Sequence, residues 1–133
     1  MPITKNSARQ ELISAFVDFT FADIPTTATA YAALDLPVNA VVVSGSLVVT
    51  TAWDTQTTAT LSVGDATTPT RYAATVDLKA AALTALTLTG FIHTNTQKVL
   101  NATTAFVGTA ATVGAARLSV NYFVKGRVGF SQG

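Results

Sequence analysis

The sole histidine, His93, and the six aspartates at 18, 23, 35, 54, 65 and 77 are the side chains of this chain best suited to acid–base work or metal binding. A catalytic histidine needs a carboxylate to orient it and a nucleophile to act on, and a metal-bound one needs further ligands. His93 ends an apolar stretch beside Thr94-Asn95, with no such companion close by in sequence. The aspartates fall where turns and caps use them: Asp77 precedes a run of helix formers, Asp54 and Asp65 follow alternating stretches, and Asp23 precedes Ile24-Pro25. No clustered Asp-x-Asp pattern marks a calcium loop. The chain contains no cysteine, which excludes thiol catalysis, thiolate metal sites and disulfides. Gly126-Arg127-Val128-Gly129 opens no helix and so forms no phosphate loop, and Ser44-Gly45-Ser46 lacks the strand-to-helix turn of a nucleophile elbow. These residues describe a protein that is not an enzyme and carries no cofactor or metal.

Recognition is the other chemistry to consider. Trp53, beside the turn at Asp54, offers a flat face on which a sugar could stack, so a carbohydrate-binding or tail-associated β-sandwich module is the alternative reading. The basic residues are scattered from Lys5 to Arg127, with one local cluster at Lys125-Gly126-Arg127. A nucleic-acid binder concentrates Lys and Arg on one face among stacking aromatics, so no direct nucleic-acid contact is expected. Phe16 and Phe123 lie opposite the main apolar stripes of their segments, which makes them candidate interface anchors.

The elements that hold these residues are set by period-two alternation, the signature of strands. Ile13, Ala15, Val17, Phe19 and Phe21 alternate with Leu12, Ser14, Phe16, Asp18 and Thr20, predicting a strand over about 12–21. Weaker alternation predicts strands at 31–36 and 70–76, and stronger patterns predict them at 40–51, 57–63, 86–92 and 98–104. In the third, Val41, Val43, Gly45, Leu47 and Val49 share one face, with Gly45 as a candidate bulge. The last strand sets Leu118, Val120, Tyr122 and Val124 against Arg117, Ser119, Asn121, Phe123 and Lys125. Asp77-Leu78-Lys79-Ala80-Ala81-Ala82-Leu83 combines a cap residue with helix formers and predicts a short helix. About eight strands at roughly ten-residue spacing make an all-β, antiparallel two-sheet sandwich of jelly-roll type. The expected organisation is a polar N-terminal arm over 1–10, the sandwich over 11–126 and a C-terminal tail over 127–133.

The surface that this sandwich exposes is unusual. Lys and Arg number 8 and Asp and Glu 7, so charged residues are 11% of 133, while Thr and Ala together fill roughly a third of the chain. Soluble domains average about 25% charged residues, spread over the surface to keep molecules apart. Threonine on an outer sheet face offers a methyl and a hydroxyl and loses less side-chain entropy than Lys or Glu when covered. Such a surface suits a subunit packed against other subunits. The N-terminal residues lack a signal-peptide apolar stretch, and runs such as Ala40-Val41-Val42-Val43 fall far short of the ~20 residues that cross a bilayer, so no membrane partner is expected.

The run from Val41 through Ser44-Gly45-Ser46 to Trp53-Asp54, then Thr58-Ala59-Thr60-Leu61-Ser62-Val63-Gly64-Asp65, resembles the cement, or decoration, proteins of tailed-bacteriophage heads. So do Arg71-Tyr72, Asp77-Leu78-Lys79-Ala80-Ala81, Thr89-Gly90-Phe91 and the closing Arg117 to Arg127, so the resemblance covers about residues 40–127. It implies a jelly-roll subunit on the outer surface of a virion, made in the host cytoplasm. The implied partners are the major capsid protein, which it would bridge and stabilise, and further copies of itself, a dimer being favoured over a trimer. In that scheme the 77–83 helix is an insertion between strands. Candidate capsid or subunit contacts are Lys5, Arg9, Phe16, Trp53, Phe123, Lys125 and Arg127.

Overall fold

Residues 12–54, 56–94 and 98–125 are described by the computed structural model, and their alternating pattern folds into two opposed antiparallel sheets. The strands are β1 (Ile13–Thr20), β2 (Ala30–Asp35), β3 (Ala40–Thr51), β4 (Gln56–Gly64), β5 (Ala73–Asp77), β6 (Leu83–Ala85), β7 (Ile92–His93), β8 (Val99–Gly108) and β9 (Ala115–Val124). Sheet one runs β1-β9-β3-β6, with β7 also paired to β3, and sheet two runs β2-β8-β4-β5. Early and late strands interleave in both sheets, and the chain passes from one sheet to the other at nearly every connection. That is the wrapping of a jelly roll.

The β3–β9 pair forms the spine of sheet one. Leu118, Val120 and Tyr122 turn inward against Leu47, Gly45 and Val42, as the alternation of β9 predicts. The irregularity in β3 falls at Val43, two residues before Gly45, where the register skips from Val42↔Tyr122 to Ser44↔Asn121. One extra residue reverses the inward parity. Val42 therefore points into the core and Val43 out, then Leu47 and Val49 point in again. Gly45 serves a different purpose: a Cβ there would lie 2.7 Å from Leu86 Cδ1 and 2.8 Å from the Ser119 carbonyl oxygen.

The short helix expected over 77–83 does not form, and no helix occurs among the described residues. Its backbone groups are used by the sheets instead. Leu78 donates its N–H to the Ala59 carbonyl at 2.8 Å and accepts from Trp53 N–H at 2.9 Å, while the Ala82 carbonyl accepts from Val49 N–H at 2.9 Å. Leu78 is fully buried. Asp77 does accept the Lys79 N–H at 2.9 Å, but it closes a turn after β5. Core burial and cross-sheet bonds outweigh a local propensity of tenths of a kcal/mol per residue. The strand expected over 86–92 is likewise divided. Leu86 N–H bonds Gly45 in sheet one and Thr87 N–H bonds Tyr72, so the chain leaves β3 after β6 and rejoins it at β7.

Candidate functional site

Among the described residues, the groups best suited to chemistry are His93, Tyr72, Arg71 and Asp65, and they pack together. His93 is buried, with its Nε2 2.5 Å from the Tyr72 hydroxyl, its ring stacked on Tyr72 and set edge-on to Phe91. Burial is the largest influence on Tyr72 and pushes its hydroxyl pKa up to about 12, so it stays protonated. Arg71 lies over the Phe91 ring at 3.5 Å and donates from Nε to Asp65 Oδ2 at 2.5 Å. Asp65 is fully buried and also accepts the N–H groups of Thr67 and Thr68 at 3.0 and 2.8 Å. Burial pulls its pKa upward, but the Arg71 bond and the two amides outweigh it and hold the carboxyl below its usual value. This group pins the 65–71 loop to the segment before β7. Gly64 permits the turn, since a Cβ there would meet the Thr68 carbonyl oxygen at 2.2 Å.

Asp54 and Asp23 brace loops. Asp54 accepts from the N–H groups of Thr112 and Val113 and from the Thr112 hydroxyl, bracing the 109–114 loop. Asp23 accepts the Thr20 N–H at 2.8 Å and its hydroxyl at 3.1 Å. Among the described residues no group of three or more His, Asp or Glu side chains is placed to hold a metal.

Trp53, a candidate contact and sugar platform, is 2% exposed. Its ring packs on Phe19, with centroids 6.4 Å apart, and under Gly114, where a Cβ would come within 2.5 Å of the indole. The hollow beside it, about 150 Å³, is lined by Phe21, Ile24, Pro25, Phe106 and alanines, with no polar side chain to orient a sugar. Trp53 is a core residue, and the sugar-binding reading loses the residue it rested on. In sequence, its position beside a turn resembled a rim residue, and only the packing of Phe19 and Gly114 covers it.

The two outer sheet faces present their side chains to a partner. On sheet one, Phe16, 58% exposed, lies with its ring 4.3 Å from the Arg117 guanidinium carbon. Arg117 in turn grips Asp18 through Nε at 2.6 Å and Nη2 at 2.9 Å. That bidentate bond lowers the Asp18 pKa. Next to it, the Ser14 hydroxyl donates to Asn121 Oδ1, and Asn121 Nδ2 donates to Ser44 Oγ at 2.8 Å. Phe123 is half-buried on the same face, opposite Val41, and Lys125 is exposed just beyond β9. The structure thus brings Phe16 and Phe123 onto one face. Lys5, Arg9 and Arg127 lie outside the described residues, as do both expected arms.

The outer face of sheet two was not singled out by any candidate residue. Its rows pair Thr58 with Val107, Thr60 with Ala105, and Ser62 with Thr103, which is itself opposite Ala30. The charged side chains within its strands, Asp35 and Asp77, end the two edge strands β2 and β5. Val107 is 60% exposed, and the Thr103 hydroxyl oxygen is shielded from solvent with no hydrogen-bond partner. The available signal was the alternation of Thr and Ser with apolar residues in 57–63 and the run of uncharged residues, Asn101 to Val107, in β8.

No protein-family model matches the chain, and no curated protein matches it. Two solved structures contain chains of the same fold. One is the capsid asymmetric unit of cyanophage Pam1, with 22% identity, a TM-score of 0.71, and 93% of this chain and 92% of that chain covered. The other is the acid-stable capsid of Helicobacter pylori bacteriophage KHP30, with 23% identity, a TM-score of 0.62, and 90% and 95% covered. At these identities the likeness establishes a shared fold along nearly the whole of each chain.

Proposed function

We propose that this chain is a non-enzymatic structural subunit of a phage virion that docks on the outside of the head and bridges major capsid protein subunits. The observation that carries the reading is the nearly full-length fold match to chains in two phage capsid structures. The outer face of sheet two supports it, because its central strand presents Thr103, Ala105 and Val107 beside Thr58 and Ser62 with no charge among them, while the carboxylates of that face, Asp35 and Asp77, lie on the edge strands β2 and β5. The segments over 1–10 and 127–133 serve as flanking arms, and the subunit self-associates as a dimer. A bridge across a seam gains from multivalency, since its second contact is intramolecular once the first has formed. Binding only the assembled shell stabilises it by roughly 3–4 kcal/mol per site at 100–1,000 times the dissociation constant. A net charge of +1 suits an exterior position better than a lining facing packaged DNA.

The test is a comparison of heads made with and without this protein. Heads lacking it are expected to release DNA at lower temperature and milder osmotic shock, and adding purified protein back should restore retention. Equal retention in both preparations contradicts the bridging role.

A further inference from the structure

We infer that β1 is a self-complementary docking strand, through which two copies join their first sheets into one continuous sheet about a two-fold axis at Phe16. This deepens the self-association proposed above, and its test does not depend on capsid binding.

Among the described residues the sandwich has five edge strands, and four are blunted in the ways proteins use to prevent edge pairing. β6 is three residues long and β7 two. β2 carries a register shift between Ala32 and Leu34. β5 has a shift opposite Leu61/Val63 and holds Thr75 at φ +50°, a costly conformation for a β-branched residue. β1 differs from all four. It pairs with β9 without interruption for eight residues, from Ile13↔Tyr122 to Thr20↔Ala115.

The hydrogen-bond parity shows which groups face outward. Phe21 N–H donates to the Gly114 carbonyl at 3.0 Å, and these two residues continue the β1–β9 register. The odd-numbered residues of β1 therefore bond to β9, and the even ones, Ser14, Phe16, Asp18 and Thr20, turn their N–H and C=O away from the sheet. Asp23 already takes the Thr20 N–H, which closes the free edge at that end. The open run is Ser14–Phe16–Asp18, and it is symmetric about Phe16.

Two such runs fit each other antiparallel. Phe16 pairs with Phe16 of the second copy, and Ser14 pairs with its Asp18, with two backbone bonds exchanged at each pair. On the outer face the exposed Phe16 rings meet at the axis as a cross-strand aromatic pair. No like charges oppose each other, since Asp18 faces a serine and is already held by Arg117. On the inner face, half-buried Ala15 and Val17 lie opposite Val17 and Ala15 of the other copy, covering apolar surface that a single chain leaves partly exposed. The occupant of the edge is thus a second copy of this chain.

Because the chain has no cysteine, the axis can be tested with a single thiol. A directly opposed hydrogen-bonded pair has its Cα atoms about 5.5 Å apart, within reach of a disulfide. Full-length Phe16→Cys under mild oxidation is expected to form a covalent dimer nearly completely. Ser14→Cys should not, because its own copies lie about 14 Å apart along the paired strands. Phe16→Lys, which opposes two like charges at an exposed site, should weaken self-association about tenfold or more in sedimentation equilibrium while leaving the far-ultraviolet dichroism unchanged. The inference is overturned if the wild-type chain stays monomeric at high micromolar concentration. It is also overturned if Ser14→Cys crosslinks as readily as Phe16→Cys, or if Phe16→Lys remains as dimeric as wild type. A Phe16→Lys monomer that still binds heads leaves the shell reading intact. A Phe16→Cys dimer that binds none leaves this inference intact and removes the other.

Discussion

The two outer faces of the sandwich arrange their charges differently. On sheet one the charged and polar side chains satisfy one another: Arg117 holds Asp18 and covers Phe16, and Asn121 links Ser14 to Ser44. On sheet two the carboxylates, Asp35 and Asp77, stand on the two edge strands, Asp77 directly opposite Thr60, and the polar groups between them are less fully paired among themselves. Thr60 reaches only the Ala105 carbonyl, at 3.2 Å, and Thr103 has no partner. A face whose polar groups are already paired gains little from a new neighbour. One that is incompletely paired can gain bonds on being covered. The proposed reading gives the faces different tasks, sheet two toward the shell and the edge of sheet one toward a second copy.

The sharpest way to break this contrast is to place a charge on each face in turn. Thr103→Lys with Val107→Lys, both on the central strand β8 and opposite uncharged residues, should weaken binding to purified heads about a hundredfold or more, since an unpaired ammonium buried against the shell costs several kcal/mol. Ser46→Lys with Ser119→Lys, the matching change on sheet one, should leave head binding within about twofold, the scatter expected of a site outside the interface. Equal losses on both faces would erase the distinction, and a larger loss on sheet one would reverse it.

A smaller effect separates the exposed Asp18–Arg117 pair from the buried Asp65–Arg71 pair. Asp65→Asn should destabilise the fold by about 2 kcal/mol at neutral pH, through loss of charge-assisted bonds to a buried group. The folded-state pKa of Asp65 lies below its ordinary 3.8. Its contribution is therefore complete above about pH 4 and is lost as pH falls through the lower folded value. Urea denaturation from pH 7 to pH 2 should show a shallower acid decline in Asp65→Asn than in wild type. Asp18→Asn should follow the wild-type curve closely, because solvent screens that exposed pair.

The sequence revealed the architecture more fully than the surfaces. β3 falls on 40–51 as its pattern predicts, and the inward side of β9 can be read residue by residue, because strict alternation between core and solvent leaves a period-two record. Features set by distant partners left no such record. The helix formers of 77–83 were diverted by carbonyls and amides in β3 and β4, and Trp53 was covered by Phe19 and Gly114 from elsewhere in the chain. The Asp65–Arg71–Tyr72–His93 group spans 28 residues and no local motif joins it. Of the candidate contacts, Phe16 emerged because a large aromatic sat on the polar side of an alternating strand. On the sheet-two face nothing stands out singly in sequence, and the pairing of Thr, Ser, Ala and Val across β4 and β8 becomes visible only in the folded register.

The most direct measurement is co-sedimentation of the purified protein with phage heads that lack it. Saturable binding at a fixed ratio to the major capsid protein is the expected result. If the chain pellets with such heads no more than an unrelated β-sandwich of similar size does, it is not a head subunit, whatever its fold.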